Sequence, residues 1–368
     1  MNFFRKIFPL IFLITSLILL IYIFYKSKIY WSGTKNDHYF PYYLFSISLI
    51  FFSVVLMVVN QKIKEYLMII SISTVAFLYL FEGYLNYSQY REQNEVLKKK
   101  KLIAELYEKR EKTQYDSRSR FDIYSDKKKV NNKITVTVPP NSFLSSNNFF
   151  PLSSVSNSET IFCNENGYYS IYQSDRYGFN NPDREWDSKL TEYMLVGDSF
   201  THGACVNQPN DIASVLRTLT NKSVLNLGYA GNGPLIYYAT LREYLRPGVK
   251  NVIFLFSEIN DLFDLNNELK GTVLTNYLND NSFTQNLKLR QNEINDLVNN
   301  KIKKVKQSEF KFEISKFIKI FYLRNSTFYN SGQKEININK FKLILEKTND
   351  YIIKNNSKLY FVYLPEYN

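Results

Sequence analysis

Three long apolar runs fill most of the first 85 residues, and they decide where the rest of the chain can fold. Phe8 to Tyr25 and Pro41 to Val59 carry no charge, and a third run, Tyr66 to Leu85, is uncharged except for Glu82. About 20 such residues cross the hydrocarbon core of a bilayer as a helix that satisfies its own backbone polar groups. Helices of a soluble core usually keep a polar face, which these runs lack. Arg5 and Lys6 precede the first run, but no small-residue cleavage site follows it before Lys26, so it reads as a retained anchor and not as a signal peptide. The short link from Gln61 to Glu65 predicts a helical hairpin between the second and third runs. Three crossings place the C-terminal part on the side opposite the N-terminus. Arg5 and Lys6 favour an N-terminus held inside, whereas Lys98, Lys99, Lys100 and Lys101 weigh the other way. The expectation is an integral, multi-pass membrane protein whose soluble part is extracytoplasmic, with the lipid bilayer as its first partner.

Beyond the membrane runs, Asn86 to about Lys112 is charged, and Val96, Leu97, Ile103 and Leu106 fall on one helical face, which predicts a juxtamembrane helix. Residues 113–160 hold a basic stretch with Arg118 and Arg120, one expected strand at Ile134 to Val138, then Pro139-Pro140 and a Ser/Asn-rich run, the chemistry of a linker. From Ile161 the pattern changes. Tyr193 to Val196, Ser223 to Leu227, Asn251 to Phe256 and Lys358 to Leu364 are apolar on both faces, as parallel strands covered by helices are. Helical segments lie between them at Asp211 to Thr220, Pro234 to Leu245 and through a Lys/Asn-rich region from about Leu262 to Lys354. Alternating strands and helices predict an α/β fold with a doubly wound, mainly parallel, three-layer domain, whose ligand site lies at the carboxyl ends of the strands. The expected division is therefore 1–85 membrane helices, 86–160 juxtamembrane helix and linker, and 161–368 the α/β domain.

Composition narrows the chemistry. Two His and two Cys cannot build a multi-His metal site or a four-cysteine zinc module, so neither a metal nor a cofactor is expected. The net charge of +12 is spread through Lys-rich helices without a nucleic-acid-binding motif, so no nucleic-acid partner is expected. Any histidine base must be His38, which lies between the first two membrane runs, or His202.

The expected strand ends carry the unusual residues. The first runs into Gly197-Asp198-Ser199-Phe200-Thr201-His202-Gly203, which sets a serine on a tight turn at the start of a helix. The second ends in Asn226-Leu227-Gly228-Tyr229-Ala230-Gly231-Asn232-Gly233-Pro234, where glycines let backbone N–H groups approach a ligand. The third ends in Ser257-Glu258-Ile259-Asn260-Asp261, which offers a side-chain amide. A hydroxyl, a glycine N–H and an amide on three successive strands form the set that acyl transfer requires.

These three blocks, in this order, resemble the first signature blocks of the SGNH (GDSL-type) hydrolases, a family of esterases and acyl-transfer enzymes, and the likeness extends over roughly residues 160 to 368. It implies an SGNH/flavodoxin-like fold with Ser199 as nucleophile, Gly231 and Asn260 as oxyanion donors beside the Ser199 N–H, and Asp198 as a loop-shaping acid. His202, Asn232 and Glu258 are the candidate substrate-binding residues. The run Ser174-Asp175-Arg176-Tyr177-Gly178-Phe179-Asn180-Asn181-Pro182 is similar to a lead-in of membrane-anchored and exported members. The implied activity is an esterase or O-acyltransferase acting on ester-bearing glycans or lipids of the cell envelope. One block departs: the family's Asp-x-x-His does not follow the strand that reads LYFVYLPEYN. Two expectations stand, a C-terminus that is incomplete and a non-catalytic, glycan-binding protein. Cys163 and Cys205 are expected either to form a disulfide, which would mark an oxidising compartment, or to remain two buried thiols.

Overall fold

The computed structural model describes residues 2–33, 36–308, 313–324 and 337–366. The chain forms two compact units, residues 1–91 with 313–329, and 92–312 with 330–368.

In the first unit α1 (Asn2–Phe24) continues into a π-helical turn at Tyr25–Tyr30, followed by α2 (Asn36–Val58) and by the start of α3 (Gln61–Glu111). The spans Ile7–Tyr30, His38–Val58 and Gln61–Glu92 are long and apolar enough to cross a membrane. Large apolar side chains point outward from all three, among them Ile18, Phe51 and Leu80, as a lipid-facing surface requires. The packed pair is α1 with α2, where Phe12 meets Phe52 edge-on at 5.7 Å, and not the expected hairpin of α2 with α3. Glu82, the charge that ends the third run, is buried and accepts the N–H groups of Tyr322 (3.0 Å) and Leu323 (2.8 Å). Carboxylate-to-amide bonds of this kind are how an acidic group is accommodated among apolar helices. The expected juxtamembrane helix is no separate element. With no proline to break it, α3 runs unbroken for 51 residues.

The second unit contains two sheets. Helix α4 (Arg120–Lys128) opens with a capping box in which Ser119 and Asp122 satisfy each other's backbone N–H. It leads into β1 (Ile134–Val136), which pairs parallel to β2 (Glu159–Ile161); β2 in turn pairs antiparallel to β3 (Ile171–Gln173). The larger sheet has β4 (Thr191–Val196), β5 (Val224–Asn226), β6 (Val249–Ser257) and β7 (Lys358–Leu364) in the order β5-β4-β6-β7, all parallel. Between and after these strands come α5 (Ser199–His202), α6 (Ile212–Thr220), α7 (Pro234–Tyr244), α8 (Asp261–Glu268), α9 (Thr272–Asn279), α10 (Gln291–Ser308) and, belonging to the first unit, α11 (Glu313–Ile318), then α12 (Ile338–Lys354). Successive residues of a strand face opposite ways, and the core divides accordingly. Leu195 and Leu255 pack with Ala213 of α6, while Met194, Val196, Val252 and Phe254 join the larger cluster with α7 and α12.

One expectation fails here. The stretch 113–160 is not a linker, since Ile123, Ile134, Val136, Phe143, Phe150 and Leu152 are buried in the same core as the parallel sheet. The expected boundary at residue 161 therefore does not exist. The Lys/Asn-rich region from 262 to 354 is several helices, part of it outside the described residues.

Candidate active site

The site lies at the carboxyl ends of β4, β5 and β6, and small residues allow the three strand ends to close on one another. A methyl on Gly197 would lie 1.9 Å from Thr201 Oγ1, and one on Gly228 would lie 2.5 Å from the Thr201 side chain, so α5 sits where only glycines let it. Asn226 Nδ2 donates to the Thr201 carbonyl at 2.7 Å, and the Tyr229 N–H donates to the Gly197 carbonyl at 3.1 Å. These bonds hold the serine turn against the glycine loop.

Ser199 is half-buried at the first position of α5, where Asp198 acts as N-cap and Asp198 Oδ1 accepts the Phe200 N–H at 2.9 Å. Among the described residues nothing accepts the N–H of Ser199 or the N–H of Gly231, which sits in a left-handed turn at φ 75°. The Asn260 amide donates to Asp264 Oδ2 at 2.9 Å and also favours the ionised form of Asp198. Burial raises the Asp198 pKa, and the Phe200 N–H and the Asn260 amide pull it back down. Ser199, Asp198, Gly231 and Asn260 thus gather at one edge of the sheet, with two backbone donors available there.

Three other candidates are placed differently. His202 is no pocket residue: it is fully buried, its ring 4.2 Å from Phe162 and 4.3 Å from Tyr229, centroid to centroid. Its Nδ1 accepts the Ala230 N–H at 3.2 Å, which leaves the proton on Nε2, 3.0 Å from the Tyr172 hydroxyl. Burial pushes its pKa down to about 3, so it is a neutral core ring with both nitrogens engaged and cannot act as base. Asn232 is buried at 1% exposure, and neither polar atom of its side-chain amide has a hydrogen-bond partner among the described residues. Glu258 is exposed, but its Oε2 accepts the Glu366 N–H at 2.9 Å and its carboxylate meets the Tyr363 hydroxyl, so it secures the end of β7.

Below the site lie buried carboxyl groups that periodicity could not show. Asp261 accepts from Tyr237 OH and from the Ser257 N–H, both at 2.9 Å, and burial, reinforced by the charge of Asp198, pushes its pKa up to about 8. Glu268 accepts the N–H groups of Gly233, Leu235 and Ile236 at the start of α7, and burial pushes its pKa up to about 8 as well.

The lead-in segment braces the site from behind. Asp175, fully buried, accepts the N–H groups of Tyr177 and Phe179, the Asn181 amide and the Trp186 indole at 2.7–3.0 Å. Asn181 in turn clamps both backbone groups of Asn226, and Asn180 donates to the His202 carbonyl at 2.9 Å. Cys163 and Cys205 form a disulfide with Cα atoms 5.0 Å apart, which ties the Phe162 segment to the loop after α5. No group of residues able to hold a metal ion occurs among the described residues. No protein-family model, no curated protein and no solved structure matches this chain.

Proposed function

We propose that the chain is a membrane-anchored SGNH-type esterase or acyl-transferase that acts through Ser199. One observation carries the proposal: a half-buried serine at a helix start shares a sheet edge with two uncommitted backbone N–H groups and the Asn260 amide. The strand order β5-β4-β6-β7, with helices packed on both faces, supports the doubly wound, three-layer SGNH/flavodoxin-like reading. Ser199 Oγ attacks the ester carbonyl, and the oxyanion is held by the N–H groups of Ser199 and Gly231 and by the Asn260 amide. The carbon–oxygen bond to the alcohol then breaks, and water or a second hydroxyl releases the acyl group. The resemblance implies an Asp/His pair to take the serine proton, a part that His202, with both ring nitrogens committed in the core, does not supply. The Cys163–Cys205 disulfide supports an extracytoplasmic placement, where O-acyl groups of envelope glycans or lipids are the substrates. Loss of one oxyanion donor costs about 100- to 1,000-fold in turnover. Asn260→Ala is accordingly expected to lower hydrolysis of an aryl acetate by that factor, and unchanged turnover would remove Asn260 from the site.

A second reading, a glycan-binding protein without turnover, is favoured by one observation: His202 is neutral and fully committed in the core. It predicts that an O-acetylated glycoside binds while Ser199 is not acylated.

A further inference from the structure

The 3₁₀ turn Pro140–Phe143, in the stretch that composition marks as linker, lies beside the loop that carries Gly231. Its placement is firm: Phe143 is buried in the core, Ser142 N–H donates to the Pro139 carbonyl at 3.0 Å, and Lys301 Nζ donates to the Ser142 carbonyl at 3.2 Å. The turn lies directly against the second-strand loop. A methyl built on Gly231 would come within 2.7 Å of Asn141 Nδ2 and 3.2 Å of Pro139 Cβ. Gly231 is thus required twice, by its left-handed φ and by the closeness of Asn141. Asn141 is half-buried, and its side-chain amide makes no hydrogen bond with the described residues, while its backbone carbonyl accepts the Leu144 N–H at 3.3 Å. A short side chain of two rotatable bonds, set on a fixed turn beside an uncommitted N–H, is an oriented donor and acceptor.

We propose that Asn141 is a substrate-binding residue that selects esters of polyhydroxylated alcohols. Its amide hydrogen-bonds the hydroxyl next to the acylated one while the Gly231 N–H holds the acyl oxygen. This rests on the assignment of Ser199 and Gly231 made above. An amide that both donates and accepts matches a sugar hydroxyl, which does the same, whereas an aryl alcohol offers no group to meet it. No proton or group is transferred by Asn141.

The test uses the full chain in detergent. Ser199 is labelled with a fluorophosphonate, which loses fluoride to the serine oxygen, and a mono-O-acetylated methyl glycoside is titrated in as protectant. For wild type, Asn141→Ala and Asn141→Leu, the half-protecting concentration is measured relative to each protein's own labelling rate without glycoside. Loss of one hydrogen bond predicts a rise of about 3- to 10-fold in both variants. Asn141→Gln, which keeps the amide, is expected to fall between wild type and alanine. A half-protecting concentration equal to wild type in both variants, with Ser199 labelled, overturns the role of Asn141 and leaves the esterase proposal standing. Absence of Ser199 labelling in wild type overturns the esterase proposal and this inference with it. Circular dichroism melts of each variant show whether a loss comes from unfolding, and the conservative variant then carries the comparison.

Discussion

Gly178 is the residue on which the brace behind the site turns, and replacing it by alanine has a cost that the structure lets us work out. Its φ is 83°, a region where a side chain costs about 1–2 kcal/mol. The added methyl would also sit 2.1 Å from the Ser154 carbonyl oxygen and 2.7 Å from its carbon. Those atoms cannot step aside freely, because the Ser154 carbonyl accepts Gln291 Nε2 at 2.9 Å in a buried segment. Overpacking of this kind costs about 1–3 kcal/mol. The two together give about 2–5 kcal/mol, or roughly 4–20 °C in melting temperature for a unit of this size. The control is Gly271→Ala, where φ is −82° and the nearest atoms are 3.3 Å or more away, and a change below about 1 kcal/mol is expected. Trp186 reports on the event, since its indole donates to Asp175 and its ring lies 4.7 Å from Tyr177. Thermal melts followed by Trp186 fluorescence, in a Trp31→Phe background, compare the two variants. A Gly178→Ala protein that melts within 2 °C of its Gly271→Ala counterpart would refute the reasoning, because neither the backbone strain nor the clash would then be real.

Other expectations follow from the same geometry. Asp261 holds its proton up to about 8 in the folded state, above the ordinary carboxylate range of the unfolded chain, so its contribution to stability is complete in acid and is lost as pH rises towards and through 8. Melting temperature should therefore fall between pH 5 and pH 9, and Asp261→Asn should flatten the fall; an unchanged slope would exclude Asp261 as its source. The imidazole of His202, whose pKa is pushed down to about 3, should show no chemical-shift titration between pH 5 and pH 8 by NMR, and a midpoint near 6.5 would mean that it is not buried. Thiol labelling under denaturing conditions should find no free cysteine before reduction and two after it, and two beforehand would contradict the Cys163–Cys205 bond.

How legible these features were depended on the range of the forces behind them. The membrane spans stand out because their apolar side chains are contiguous in sequence, and β4, β5 and β6 because both of their faces are covered, whereas the equally apolar run of β7 lies largely exposed at the sheet edge, against the expectation of a strand covered on both faces. The polar and glycine residues at the strand ends mark Ser199, Gly231 and Asn260 as candidates by residue type alone. The stretch 113–160 looks like a linker in sequence because its core residues, Phe143, Phe150 and Leu152 among them, sit singly in turns and follow no period. Their burial comes from contacts with residues more than a hundred positions away, such as Gln285, whose side-chain oxygen accepts the Phe150 N–H. The burial of His202 is hidden for a related reason: its spacing from Ser199 says that both lie on one short helix, but not that Phe162 and Tyr229 enclose it. Asn141 left no sequence signal, since only the fold brings it to Gly231.

The central claim is that Ser199 is a nucleophile served by oxyanion donors, and one measurement meets it directly. The full chain in detergent is treated with a fluorophosphonate, digested, and mapped by mass spectrometry, beside Ser199→Ala and Asn260→Ala. A single adduct on Ser199, absent in the alanine variant and slowed about 100-fold or more without the Asn260 amide, is the predicted result. An unmodified Ser199 under conditions that label a known serine esterase would contradict it and favour the glycan-binding reading without turnover.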